Sequence, residues 1–282
     1  MRLFVEVSER LLLAAPRRLL MTHAQTSATL RAPRLPQAIG NGISALASAH
    51  LQVDISPYPS MEEGDLIELF WNNCFAASRK VTACKIGTCT HLCVPQSFVQ
   101  DGPARVYYQV LQIGHGPMRS AVTLVRVKTN YPGGQPSPRL NPEGGDENQN
   151  LAPVNLPETI RRHGVNSSQV RRGIPLTIEP YLNMSTGDAI TLRWGDVRLD
   201  LPRIQAQSVG LAVQVWVPPH VIVEAGDDCR LEVTYCILDR VGNNSRWAPA
   251  RTLRIAACTP PRPASPAPGY QPRRFGSPCE PG

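Results

Sequence analysis

Residues 53–71, VDISPYPSMEEGDLIELFW, return without a gap as residues 176–194, LTIEPYLNMSTGDAITLRW. Pro57, Tyr58, Met61, Gly64, Asp65, Ile67, Leu69 and Trp71 match Pro180, Tyr181, Met184, Gly187, Asp188, Ile190, Leu192 and Trp194. A chain that repeats itself over such a length builds one structural unit twice, which decides its architecture before any single residue does. The repeat itself names no chemistry.

Its pattern is that of strands. Val53 and Ile55 alternate with Asp54 and Ser56, and Leu176 and Ile178 with Thr177 and Glu179. This period of two belongs to a half-buried strand. Pro57 and Pro180 end that strand, because proline cannot donate to a ladder. Glu62-Glu63-Gly64-Asp65 and Ser185-Thr186-Gly187-Asp188 have turn chemistry. The next strand puts Ile67, Leu69 and Trp71 on one face, matched by Ile190, Leu192 and Trp194. The second copy's other face, Ala189, Thr191 and Arg193, suits water, so the Ile/Leu/Trp face points inward. Further on, Val106, Tyr108 and Val110 pair with Val233, Tyr235 and Ile237, and residues 125–127 with 253–255. Each copy offers six or seven short strands with turns every 8–12 residues, an all-β sandwich pattern. The expected core is Ile67, Leu69, Trp71 and Tyr108 in the first copy, and Ile190, Leu192, Trp194 and Tyr235 in the second.

A length of 282 residues with 42% hydrophobic content suits two such domains. The expected boundaries are a tail at 1–30, a first repeat at 31–130, a second at 151–257 and a Pro-rich disordered tail at 258–282. Between the repeats, residues 131–150 (YPGGQPSPRLNPEGGDENQN) read as a flexible linker. Met21 raises an overcalled start at Met1 as an expectation. The net charge of +7 rests on arginine, with lysine only at Lys80, Lys85 and Lys128. No basic stripe interleaved with aromatics accompanies it, so no nucleic-acid partner is expected. No apolar run reaches the ~18 residues of a membrane span. The Leu11–Leu13 run is flanked by Glu6, Glu9, Arg17 and Arg18, a poor signal peptide.

The order A-P-x-(x)-L-P, then L/V-x-I-x-P-Y-x-x-M-x-x-G-D-x-I-x-L-x-W, then V-P and a Tyr strand resembles tandem bacterial immunoglobulin-like repeats of large surface or secreted proteins. The likeness runs over residues 31–128 and 151–256. It implies two immunoglobulin-like β-sandwiches and a non-enzymatic structural or interaction protein, adhesin-like, at the cell surface or secreted. A protein or surface glycan would be its ligand. A cytoplasmic binding module of the same fold is the alternative. The resemblance brings no catalytic residues.

Neither a G-x-S-x-G elbow nor a phosphate-binding glycine loop after a strand is present. No cofactor is expected, with zinc as the one exception. Cys84, Cys89, His91 and Cys93 lie close together in the first copy and follow Cys74. Thiols and an imidazole in such a span can hold zinc. Disulfides among them, or unpaired thiols, are the other readings. Cys89, His91 and Cys93 share an outward strand face, where the second copy carries Ala212, Gln214 and Trp216. Cys229 falls on the face of Leu231, Val233 and Tyr235 and is expected in the core. Finally, the outward face of the Ile67 strand carries Leu66 and Phe70, where the second copy has Ala189 and Arg193. Exposed apolar residues on a sheet face mark contacts, so Leu66 and Phe70 are expected at an interface.

Overall fold

The computed structural model describes residues 30–136 and 147–256. Of the expected tail at 1–30 only Leu30 is described, and it is buried; the tail at 258–282 and the centre of the linker lie outside the described residues.

The first half contains β1 (Gly42–Ile43), α1 (Ala45–Ala49), β2 (Gln52–Ile55), β3 (Leu66–Trp71), β4 (Cys74–Lys80), β5 (Thr90–Cys93), β6 (Gly102–Leu111), β7 (Met118–Arg119) and β8 (Thr123–Val127). The second contains α2 (Glu158–His163), α3 (Ser167–Arg172), β9 (Ile174–Ile178), β10 (Ala189–Trp194), β11 (Val197–Asp200), β12 (Val213–Val217), α4 (Pro219–Ala225), β13 (Asp228–Leu238), β14 (Asn244–Trp247) and β15 (Arg251–Ile255). In each half a small sheet faces a larger one. β2 pairs with β5, opposite the order β1-β8-β6-β3-β4; β9 pairs with β12, opposite β11-β10-β13. Along β6, first β8 and then β7 fill one edge; along β13, β15 and β14 do the same. The halves are therefore two copies of one sandwich, antiparallel except where β1 runs parallel to β8.

Burial follows the alternation. Ile67, Leu69 and Trp71 are at most 2% exposed, as are Tyr108, Ile190, Leu192, Trp194 and Tyr235. Val53 and Ile55 of the small sheet join Ile67, Leu69 and Trp71 in one apolar cluster, which is what makes the two sheets a sandwich. A second, separate cluster gathers the matching residues of the other half. Each such side chain taken from water stabilises by about 1.5–3 kcal/mol.

The repeated Pro-Tyr…Gly-Asp segment is a turn held by a carboxylate. Tyr58 Oη donates to Asp65 Oδ2 at 2.8 Å, and the Glu62 N–H donates to the same oxygen at 3.1 Å. Tyr181 Oη and the Ser185 N–H do the same to Asp188 Oδ2, both at 2.9 Å. Asp65 and Asp188 are 4% and 0% exposed. The motif is thus a buried hydrogen-bonded lock between the two sheets, which explains why Tyr and Asp recur at a spacing of seven.

The structure differs from the sequence expectation in several places. A strand follows Trp71 directly, because Asn72 and Asn73 take φ of 50° and 65° and turn the chain back as β4. Four short α-helices appear among the described residues. α3 is closed by a capping box between Asn166 and Gln169, and ends at Gly173 with φ of 85°. A Cβ there would sit 2.7 Å from the Val217 carbonyl oxygen, so only glycine fits. Cys229 is exposed rather than in the core, because a bulge between Asp228 and Leu231 breaks the alternation of β13.

The stretch between the repeats packs on the second sandwich at both described ends. The Gly133 N–H donates to the Leu182 carbonyl, and Asn148, fully buried, donates to the carbonyls of Gly133, Gly134 and Ser245. The sandwiches meet directly as well. Lys128, just after β8, reaches Asp239 Oδ2 at 3.0 Å and Ser185 Oγ at 3.3 Å. Asn243 receives the Ala45 N–H and donates to the Lys128 carbonyl, both at 2.8 Å.

Candidate functional site

Two features of the first sandwich differ from their equivalents in the second. One is the outward face of its larger sheet. β3 alternates, so Leu66, Glu68 and Phe70 face away from the core and are half-buried. Register places Phe70 opposite Phe75 on β4 and Tyr107 on β6. Phe70 stacks on Tyr107 with centroids 5.0 Å apart and planes 6° apart, and meets Phe75 edge-on at 6.2 Å. The Arg119 guanidinium covers the other side of Tyr107 at 3.7 Å. Tyr107 is buried by these neighbours, while Phe75 remains 51% exposed and Leu124, on the same sheet, 62%. On the second sandwich the corresponding face carries one aromatic, Trp247, with the guanidinium groups of Arg193 and Arg198 5.1 and 6.0 Å from its ring, and Arg193 pairs with Glu232 at 3.2 Å. Leu66 and Phe70 therefore lie within a larger patch. Phe75 and Tyr107 belong to it and were missed, since neither lies on the strand that drew attention.

The other feature lies on the small sheet. Register sets Asp54 of β2 opposite His91 of β5, with His91 Nδ1 2.6 Å from Asp54 Oδ1. Gln52 Nε2 donates to the same carboxylate at 2.7 Å and lies 3.1 Å from His91 Nδ1. Cys89 precedes β5 by one residue and shares this face. The ligating atoms of Asp54, Cys89 and His91 all lie within 4.8 Å of one another. Cys84 and Cys93 stay outside this group. Cys84 sits in a single 3-10 turn beside Thr82, and Cys93 is exposed opposite Gln52. Cys74, Cys84, Cys89, Cys93, Cys229 and Cys236 are all unpaired thiols.

Electrostatics at this group are local. Burial pushes the Asp54 carboxyl up, but hydrogen bonds from His91 and Gln52, with the charges of His91 and Arg34, outweigh it and hold it below its ordinary value. Burial, then the Asp54 charge, push the Cys89 thiol up, against a smaller pull from Arg34. In the second sandwich the equivalent positions are neutral: Thr177 Oγ1 donates to Gln214 Oε1 at 3.0 Å, and Ala212 stands where Cys89 does.

No family model matches the chain, and no curated protein matches its sequence. Among solved structures, it is similar to a 1.5-MDa bacterial ice-binding adhesin, at 15% identity and a TM-score of 0.36, covering 81% of this chain and 66% of that one. It is similar also to the fibronectin(III)-like modules of CbhA from Clostridium thermocellum, at 9% identity and a TM-score of 0.42, over 80% and 95%. The FN1–FN3 domains of chicken CNTN1 give 11% and 0.35, over 81% and 66%. The chain spans just under two thirds of the adhesin and CNTN1 structures it matches. The fold itself rests on the strand pairing and the two cores above.

Proposed function

We propose that this chain is a non-enzymatic interaction protein, adhesin-related and displayed at a cell surface, that binds a protein or glycan partner through the outward face of its first sandwich. The observation that carries this reading is the asymmetry between two otherwise matching sheets. Phe70, Phe75, Tyr107 and Leu124 stand on one, and a single aromatic, Trp247, among arginines and a glutamate on the other. Solvent-facing aromatics clustered around an arginine are common contact residues. The likeness of the repeats to bacterial surface modules supports the location.

The test uses the full chain on a glycan microarray and on intact cells of the native host. Binding by the wild type and its loss in Phe75→Arg, with an unchanged melting temperature, is the expected result. Equal binding by Phe75→Arg, or no binding by the wild type, counts against it. A cytoplasmic binding module is the second reading, favoured by one observation: Cys74, Cys84, Cys93 and Cys229 are exposed and unpaired, which suits a reducing compartment. Protease treatment of intact host cells separates the two, since only a displayed chain is cut.

A further inference from the structure

We propose that Asp54, Cys89 and His91 form a zinc site on the small sheet of the first sandwich, with the fourth coordination position open to solvent. The site is built by strand pairing. β2 and β5 run antiparallel with Asp54 opposite His91, and Cys89 lies two residues before His91 on the same face. Their three ligating atoms are mutually within 4.8 Å, the shortest separation being 2.6 Å. Tetrahedral zinc, with bonds of ~2.0 Å to nitrogen or oxygen and ~2.3 Å to sulfur, needs its ligands about 3.3–3.5 Å apart. The group must therefore open or close by about an ångström, which side-chain rotation supplies on a surface strand.

The donor set points to zinc. A thiolate and an imidazole disfavour calcium and magnesium, which take oxygen ligands, and a carboxylate completes a set of the kind zinc accepts. Thiolate and carboxylate together cancel the charge of the ion, while Arg34 favours both anions. His91 keeps 53% of its side chain exposed, so the ion has a path in and the fourth position faces water. The strand pairing itself does not require these three residues. The second sandwich makes the same antiparallel pair with Thr177, Gln214 and Ala212. Cys84 and Cys93 are not ligands in this arrangement.

That comparison supplies the variants. Asp54→Thr, Cys89→Ala and His91→Gln each import a residue that the second sandwich already carries in register, so the fold is expected to survive. Full-length untagged protein is stripped with chelator and titrated with zinc chloride by calorimetry. Cobalt loading is followed by the thiolate-to-cobalt charge-transfer absorption. One zinc per chain is expected, with a cobalt–thiolate band. Each of the three variants should weaken binding by roughly 100-fold or more, beyond the ~10–100-fold typical of outer-shell changes. Cys84→Ala and Cys93→Ala should bind as the wild type. Absence of stoichiometric zinc, undiminished binding in any of the three variants, or lost binding in Cys84→Ala or Cys93→Ala overturns the site. Circular dichroism of each variant confirms that a lost site is not a lost fold.

Discussion

Tyr58 and Tyr181 end on carboxylates that water does not reach, and this is where single residues decide the most. Each phenol donates a hydrogen bond to an aspartate that also accepts one from a backbone N–H. A hydrogen bond to a charged group contributes about 1.5–3 kcal/mol, so Tyr58→Phe and Tyr181→Phe should each lose that much in urea unfolding. Losses under 0.5 kcal/mol, roughly the scatter of neutral surface substitutions, would reduce both tyrosines to apolar filler. The two aspartates are not equivalent. Asp65 also receives Gln112 Nε2 at 3.0 Å, whereas Asp188 Oδ1 is buried without a hydrogen-bond partner. Burial raises the Asp188 carboxyl above its ordinary value, more than the Ser185 N–H, Tyr181 and Lys128 lower it. The folded state therefore holds this proton more tightly than the unfolded chain does. Stability from this group falls as pH rises from about 4 through the raised folded value. Asp188→Asn removes that loss, so the variant should gain on the wild type between pH 4 and pH 7. An identical stability difference at both pH values would contradict the sign. Asp54 runs the other way: its carboxyl is lowered, so its contribution is full above about pH 4 and fades in acid.

At the scale of elements, the β3–β4 hairpin shows what could be read in advance and what could not. β3 was legible, because Ile67, Leu69 and Trp71 alternate with half-buried neighbours. β4 was not, because its residues are mostly exposed and carry no period-two signal. Its marker was the Asn72-Asn73 pair, which takes the left-handed conformation of a two-residue hairpin turn. An L-residue other than Asn or Gly pays about 1–2 kcal/mol there. Asn73→Ala should thus destabilise by about 1 kcal/mol and Asn73→Gly by nothing measurable, as read from thermal unfolding. Equal effects of both would place the turn's constraint elsewhere. The four helices escaped notice because five to seven residues are too few to display a 3.6-residue period. The candidate site divides the same way. Cys89 and His91 are two apart and were visible together, but Asp54 is 37 residues from His91 and joins it only through register. Phe75 and Tyr107 were hidden for the same reason, since neighbours across a sheet leave no local trace in sequence.

For the whole molecule, the decisive question is whether the two sandwiches behave as one body. Gln112 in the first copy corresponds to Asp239 in the second, through the matched strands β6 and β13. Gln112 donates a hydrogen bond to Asp65, but Asp239 is an acid facing another acid, and its charge raises the Asp188 carboxyl. Lys128 resolves the conflict from the other sandwich, reaching Asp239 at 3.0 Å where that carboxylate is only 1% exposed. The second sandwich therefore completes its own turn with a cation that the first supplies. Losing one partner of a buried ion pair typically costs 3–5 kcal/mol, and the partial exposure of Lys128, 23%, favours the low end. Lys128→Met should lower the stability of the second sandwich by about 3 kcal/mol. It should also split a single calorimetric transition into two, because the sandwiches no longer share the pair. Adding Asp239→Asn removes the unpaired charge and keeps an amide oxygen for the Val241 and Asn243 N–H groups, so the double variant should recover part of the second sandwich's stability while leaving the two transitions apart. Recovery of one transition in the double variant would assign the coupling to Asn243 and the backbone contacts instead. A wild type that already melts in two steps would show that Lys128 steadies a turn without joining the halves.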